Sequence, residues 1–408
     1  MEAAPTTTDI LTPVRIGSVS GTPHLEWAQG MPFFLPNSIV EKIRAYAYRD
    51  EDENLVIPPG IPPINAKVTE ALRLRAAFTD KRPLSSRLPI SYQKVPPVLR
   101  NLVASVIGRW KRRFTGQLAE FPRWPLDLSA DFLADLAHGT PSPFAGGPTP
   151  VVLTHDLDSA EGLENLVKRF LDIEGSVGVR SSNFVVPCAW PIDYSLLDQV
   201  KGRGHEIGIH GYDHSNLTPF LDPPTRRNRL QRARELIERY DVTGYRSPSL
   251  LRTRNLLKDL ASLYKYDSSI PTSGGLFPVP ANGCASARPF CIEKIAELPI
   301  TMPRDGSLLF LGYAPDEILE IWINCAKTIS RSGGIVVLLT HCEARFSGDE
   351  PMLKAYRGFL EFVASSKQFT WSTTREVLTR ALGVQGWAGR GEPDRMMVST
   401  SYPGYASS

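Results

Sequence analysis

Three of the seven histidines fall within the stretch His205-Glu-Ile-Gly-Ile-His210-Gly-Tyr-Asp-His214. His210 and His214 are four residues apart. On a helix or in a tight turn, that spacing brings both imidazoles to one side, as in metal-binding helices. Imidazole suits zinc and the neighbouring first-row ions. A catalytic zinc takes three protein ligands and keeps one position open. The third ligand, a carboxylate or another imidazole, must then come from elsewhere in the chain.

The candidates follow apolar runs. Thr154-His155-Asp156-Leu157-Asp158 follows Val151-Val152-Leu153, and His341 follows Ile335-Val-Val-Leu-Leu-Thr340. Arg246 lies in Tyr245-Arg-Ser-Pro-Ser249, and Asp267 in Tyr266-Asp-Ser-Ser269. Each has an ordinary explanation by itself: a coincidental His pair, aspartates that cap a helix, a proline loop, a packed histidine. In a β/α barrel, however, the C-terminal strand ends meet on one face, and the chemistry sits there. Five strand ends that each carry His, Asp or Arg point to one site.

The elements needed to position them are legible as alternating runs. Strands are expected at 151–154, 183–186, 206–209, 243–246, 266–268, 297–300 and 335–340. Helices are expected at 160–173, 194–201, 224–240, 315–330, 352–364 and 373–382. Strands that are apolar throughout and alternate with helices argue for a parallel sheet covered on both faces. The fold class is therefore α/β, a distorted (β/α) barrel over residues 149–383. Residues 1–148 form an extra, mostly helical region broken by Pro58-Pro59, Pro62-Pro63 and Pro96-Pro97, with helices near 38–49, 66–78 and 98–114. Residues 138–151, rich in Gly, Pro, Ser and Thr, read as a linker. Residues 384–408 read as a flexible tail.

Composition narrows the function classes. The chain has 408 residues, with 46 Lys and Arg against 43 Asp and Glu, a net charge of +3. So small an excess argues against a nucleic-acid partner. A hydrophobic share of 42% supplies a large core and excludes a wholly disordered chain. No apolar window reaches membrane-spanning length. The first residues lack the basic and apolar regions of a signal peptide. Cys188, Cys284, Cys291, Cys325 and Cys342 are odd in number and widely spaced, which argues against a disulfide framework and for a cytoplasmic location. The run Arg109-Trp-Lys-Arg-Arg113 reads as a solvated helix end, with peripheral membrane contact as the alternative.

From Val151 to Leu382 the chain resembles the NodB-homology domain of the carbohydrate esterase family 4 polysaccharide deacetylases. Thr154-His-Asp-Leu-Asp158 stands for the family's Thr-Phe-Asp-Asp motif, and Gly204-His-Glu-Ile-Gly-Ile-His-Gly-Tyr-Asp-His214 for its His-x-x-x-His motif. Arg246-Ser-Pro248, Tyr266-Asp-Ser-Ser269 and Leu339-Thr-His341 stand for the remaining three. Two departures are visible: Leu157 separates the two aspartates, and Ser249 stands where an aromatic residue is common. The resemblance does not extend to residues 1–148.

It implies hydrolysis of an N-acetyl group from an amino sugar, with a divalent metal: zinc first, or cobalt, nickel, manganese or iron. By the resemblance, Asp158, His210 and His214 hold the metal and Asp156 is the base, kept ionised by Arg246. The Ser249 backbone N–H serves the oxyanion, His341 is the acid, and Asp267 orients Arg246 or His341. His155 and His205 are expected to be structural. A relative acting on another C–N bond, an N-formyl sugar, ureide or cyclic imide, is the alternative. An iron(II) oxygenase and a sugar-binding module without turnover rank behind it.

Overall fold

The structure, a computed structural model, describes residues 126–138, 142–273 and 283–384. Before them it describes 11–15, 32–49, 55–56, 66–74, 77–79, 82, 106–108 and 110. In the N-terminal part, β1 (Leu11–Arg15) pairs antiparallel with β2 (Pro32–Pro36), and β3 (Tyr48–Arg49) with β4 (Leu55–Val56). Helices Asn37–Tyr46, Ala66–Leu74 and Ser129–His138 accompany them. The two ladders were not expected in a mostly helical region. β1 and β2 carry prolines, and β3 and β4 are two residues each, so neither ladder shows a clean alternating pattern. The helix expected at 98–114 lies largely outside the described residues, and 106–108 and 110 within it are helical.

The main sheet begins with β5 (Thr149–Leu157) and continues through β6 (Ser182–Val185), β7 (Glu206–His210), β8 (Gly244–Arg246) and β9 (Tyr266–Asp267). Its remaining strands are β10 (Phe290–Ile292), β11 (Ile295–Glu297), β12 (Val336–His341) and β13 (Phe369–Trp371). The spatial order is β10-β11-β9-β8-β7-β6-β5-β12, with β13 paired to β5. Every pairing is parallel except the β10–β11 hairpin. The ring closes without a full ladder. Met302 N–H donates to Val337 O at 3.2 Å, and Thr301 Oγ1 accepts from Val337 N–H at 2.7 Å. The result is a mixed α/β fold built on a distorted parallel barrel.

Every residue of β5 and β12 is buried, as expected for strands covered on both faces. Alternation along β5 sorts its side chains. Val151 and Leu153 join the outer core with the helices, whereas Val152 joins Phe184, Tyr266 and Val337 inside the barrel. Thr154 and Asp156 continue the inward series towards the C-terminal rim. His155 points outward. Its Nε2 meets Glu174 Oε1 at 2.8 Å, and its Nδ1 meets Thr340 Oγ1 at 2.8 Å. His205 accepts from Ser181 N–H and lies 3.4 Å from the other oxygen of Glu174. Both histidines are thus knit into the layer beneath the helices, away from the rim.

Within the stretch expected to be a linker, residues 145–148 are exposed, but Ser142 and Phe144 are buried. Phe144 is buried and joins Val377 and Leu378, on helix Thr374–Leu382, in the barrel's inner cluster. The segment before it is also pinned. Asp131 accepts from Ala287 N–H at 2.7 Å, and Asp135 pairs with Arg288 through Nη2 at 2.7 Å. Further upstream, Arg252 donates from Nε to Ala77 O (2.7 Å) and from Nη1 to Leu250 O (2.8 Å). That contact ties residues 77–79 to the loop after β8.

Candidate metal centre and active site

Strand register alone brings most of the candidates to one level. Asp156 on β5 stands opposite His341 on β12, and His210 on β7 opposite Arg246 on β8. β5 keeps its extended geometry to Leu157, so Asp156 and Asp158 face the same side while Leu157 enters the outer core. His210 ends β7, and His214 follows in a turn rather than on a helix. Gly211 makes the turn: its φ is +70°, and a Cβ there would lie 2.4 Å from the Pro248 ring. The metal-site loop and the Arg246-Ser-Pro248 loop thus touch through a position where only glycine fits.

Asp158, His210 and His214 each offer one ligand atom, all within 4.8 Å of one another. Asp158 Oδ1 lies 3.5 Å from His210 Nε2 and 3.2 Å from His214 Nε2. That oxygen is buried and accepts no well-aligned hydrogen bond. A buried carboxylate oxygen without a hydrogen-bond donor is costly unless a cation meets it. Two imidazole nitrogens converge on the same point, so the donor set N, N, O fits a divalent ion. His210 Nδ1 faces Arg246 O at 3.1 Å, which orients the ring and leaves Nε2 towards the centre. Burial pushes His210 down to about 4 despite the nearby aspartates, so its lone pair is free at neutral pH.

Asp156 lies beside this cluster, with Oδ2 3.6 Å from His210 Nε2. Its Oδ1 accepts from Arg246 Nη1 at 2.9 Å. Burial would raise the Asp156 carboxyl, but His210, Arg246 and His341 outweigh it and hold it below the usual range. Arg246 is a cation that persists when His210 is neutral. It is fully buried and donates further to Thr154 Oγ1, Ser268 O and Ser268 Oγ, with its guanidinium 4.1 Å above the Phe184 ring.

His341 Nδ1 meets Asp305 Oδ1 at 2.7 Å, and the other Asp305 oxygen accepts from His341 N–H and Ser347 Oγ. Burial would lower His341, but the Asp305 carboxylate overrides it and raises the ring to about 9. Sequence reasoning missed Asp305, which opens the short helix Asp305–Phe310. The expectation that Asp267 orients Arg246 or His341 is corrected here. Asp267 Oδ1 accepts from Ser269 Oγ at 2.7 Å, and burial raises it to about 6, beside Glu297, which burial and Asp267 push well above the usual carboxyl range. Ser268 holds Arg246, and Asp305 holds His341. Ser249 stands exposed at the rim in the left-handed region, φ 53° and ψ 19°.

The sign of the His341 shift makes a prediction. A pKa near 9 in the folded chain lies above the ordinary 6.5. The pair's contribution to stability is therefore complete below pH 6.5 and is lost as pH rises through 9. Asp305→Asn is expected to move the basic limb of the kcat/KM profile down by about one pH unit or more. A limb that stays in place would take the role of acid away from His341.

Residues 145–266 match the protein-family model described as Polysaccharide deacetylase. YheN of Bacillus subtilis (strain 168), named as a candidate polysaccharide deacetylase, is 28% identical over 107 residues. These make up 26% of this chain and 36% of YheN, so the match spans about a third of that relative's length. A solved structure of a candidate polysaccharide deacetylase from Mycobacterium smegmatis shares 23% identity at a TM-score of 0.47, over 59% of this chain and 94% of that one. The solved Puue allantoinase shares 16% identity at a TM-score of 0.47, over 60% and 94%. The motifs at Thr154–Asp158 and Gly204–His214 both lie inside the span, residues 145–266, that is similar to the polysaccharide deacetylase family model.

Proposed function

We propose that this chain is a metal-dependent hydrolase that removes the N-acetyl group from an amino sugar. The observation that carries the reading is the rim itself. An N, N, O cluster with an unsatisfied carboxylate oxygen lies between a buried carboxylate held by arginine and a histidine held by aspartate. Asp158, His210 and His214 would hold the metal, with zinc first among the ions this donor set suits. A divalent ion there supplies Lewis acidity to an amide carbonyl and makes water more acidic.

The remaining steps belong to the chain's own side chains. Asp156, ionised beside Arg246, accepts a proton from the attacking water. His341 carries a proton at neutral pH and gives it to the departing amine. The Ser249 backbone N–H, at the exposed end of the loop after β8, is the donor we assign to the oxyanion. Base, acid and ligand set on one rim favour turnover over sugar binding alone. All five cysteines are free thiols, which suits a reducing, cytoplasmic compartment.

The test is acetate release from a panel of N-acetylated amino sugars, run with zinc-loaded and metal-stripped protein. Acetate is expected from at least one sugar with zinc and none after stripping. Full activity in stripped protein rejects the metal. Formate from an N-formyl sugar with no acetate from any N-acetyl sugar moves the assignment to another C–N bond.

A further inference from the structure

The turn that follows His341 carries a cation that the chemistry above does not use. Arg345 Nη2 lies 3.7 Å from Asp158 Oδ2, beyond hydrogen-bond reach, and its side chain is 33% exposed. Its guanidinium lies 4.6 Å over the Phe346 ring, and that ring is 4.7 Å from the ring of His341. The turn itself is fixed. Ala344 N–H donates to Glu161 Oε1, Phe346 N–H and Gly348 N–H to Glu343 O, and Ser347 Oγ to Asp305 Oδ2. Arg345 thus has a set backbone and a stacked head, yet it donates no hydrogen bond among the described residues.

The charged groups assigned to the chemistry have closer partners than Arg345 has. Asp156 faces Arg246, His341 faces Asp305, and Asp158 lies between two imidazoles. A stacked guanidinium with free donors matches the two-oxygen edge of a carboxylate or phosphate. Arg345 and His341, the group assigned to the departing amine, share the Phe346 ring as a neighbour, and on that ground we place the anion on the amine half of the substrate.

We infer that Arg345 is a specificity residue that binds a carboxylate or phosphate carried on the amine side of the substrate, close to the scissile nitrogen. This deepens the deacetylase reading and rests on it for the substrate's orientation. Its test uses binding, which needs no turnover.

Muramic acid and glucosamine 1-phosphate carry a carboxylate and a phosphate on substituents of carbons adjacent to the amine-bearing one; glucosamine carries neither. Calorimetric titration into the zinc-loaded protein is expected to show at least one anionic amine binding about tenfold or more tighter than glucosamine. Which of the two is tighter identifies the anion. Arg345→Gln should erase the preference and Arg345→Lys should keep part of it, with the melting temperature and zinc affinity unchanged. A wild-type preference below about threefold, or one that survives Arg345→Gln, overturns the inference. So does a loss of zinc affinity in Arg345→Gln, which would make the residue a brace for Asp158. Failure of the deacetylase reading shows separately, as no acetate released from any N-acetyl sugar.

Discussion

Asp156→Asn is expected to bind zinc like the wild type and to lose turnover by about 10²–10⁴-fold, the range of a general base. The substitution keeps the side chain's shape but removes the charge that accepts the proton. Arg246 keeps its bonds to Ser268 O, Ser268 Oγ and Thr154 Oγ1, so its place in the barrel survives. Zinc content by elemental analysis and single-turnover acetate release separate the two effects. Loss of zinc from this variant would show that Asp156 is the ligand and Asp158 the base. Retained zinc with turnover reduced only a few-fold would make Asp156 an anchor for Arg246.

His210→Ala and His214→Ala are each expected to weaken zinc binding by more than about 100-fold, beyond the effect typical of groups that only orient a ligand. Activity should fall with occupancy. Asp158→Asn should weaken binding less, because an amide oxygen remains at the position, and excess zinc should restore part of its rate. Competition with a chromogenic chelator measures all three. Wild-type affinity in both histidine variants would dissolve the cluster as a metal centre.

The residues that end strands were legible because sequence places them there. Val151–Leu153 and Ile335–Thr340 announce buried strands, and the residue after each run must sit on the rim. The four-residue spacing of His210 and His214 was legible for the same local reason. Asp305 was not: it contacts His341 across 36 positions, and in Pro303-Arg-Asp-Gly306 it reads as a residue of a turn. The β10–β11 hairpin was missed because Glu293 and Lys294 both adopt positive φ, 49° and 68°, where Asn-Gly is the usual signature. The helix expected at 224–240 divides into Pro223–Gln231 and Arg234–Tyr240. No proline or glycine marks the break, so periodicity alone carried the reading through it. Asp267 misled because its strand position suits chemistry, while its actual neighbours are Ser269, two residues on, and Glu297, its register partner on β11, whose identity no local pattern announces.

The register of β5 with β12 and of β7 with β8 has a consequence for how such a protein can diverge. Asp156 and His341 hang from backbones laced together by parallel-strand hydrogen bonds, as do His210 and Arg246. Their separations are therefore inherited with the sheet and cannot drift one residue at a time. Arg345 and Ser249 sit instead on the segments just beyond the strands, where a change of residue leaves the ladder intact. Mutation can thus retune what enters the rim while the reaction stays constant, and a lineage can move between substrates without first passing through an inactive ancestor.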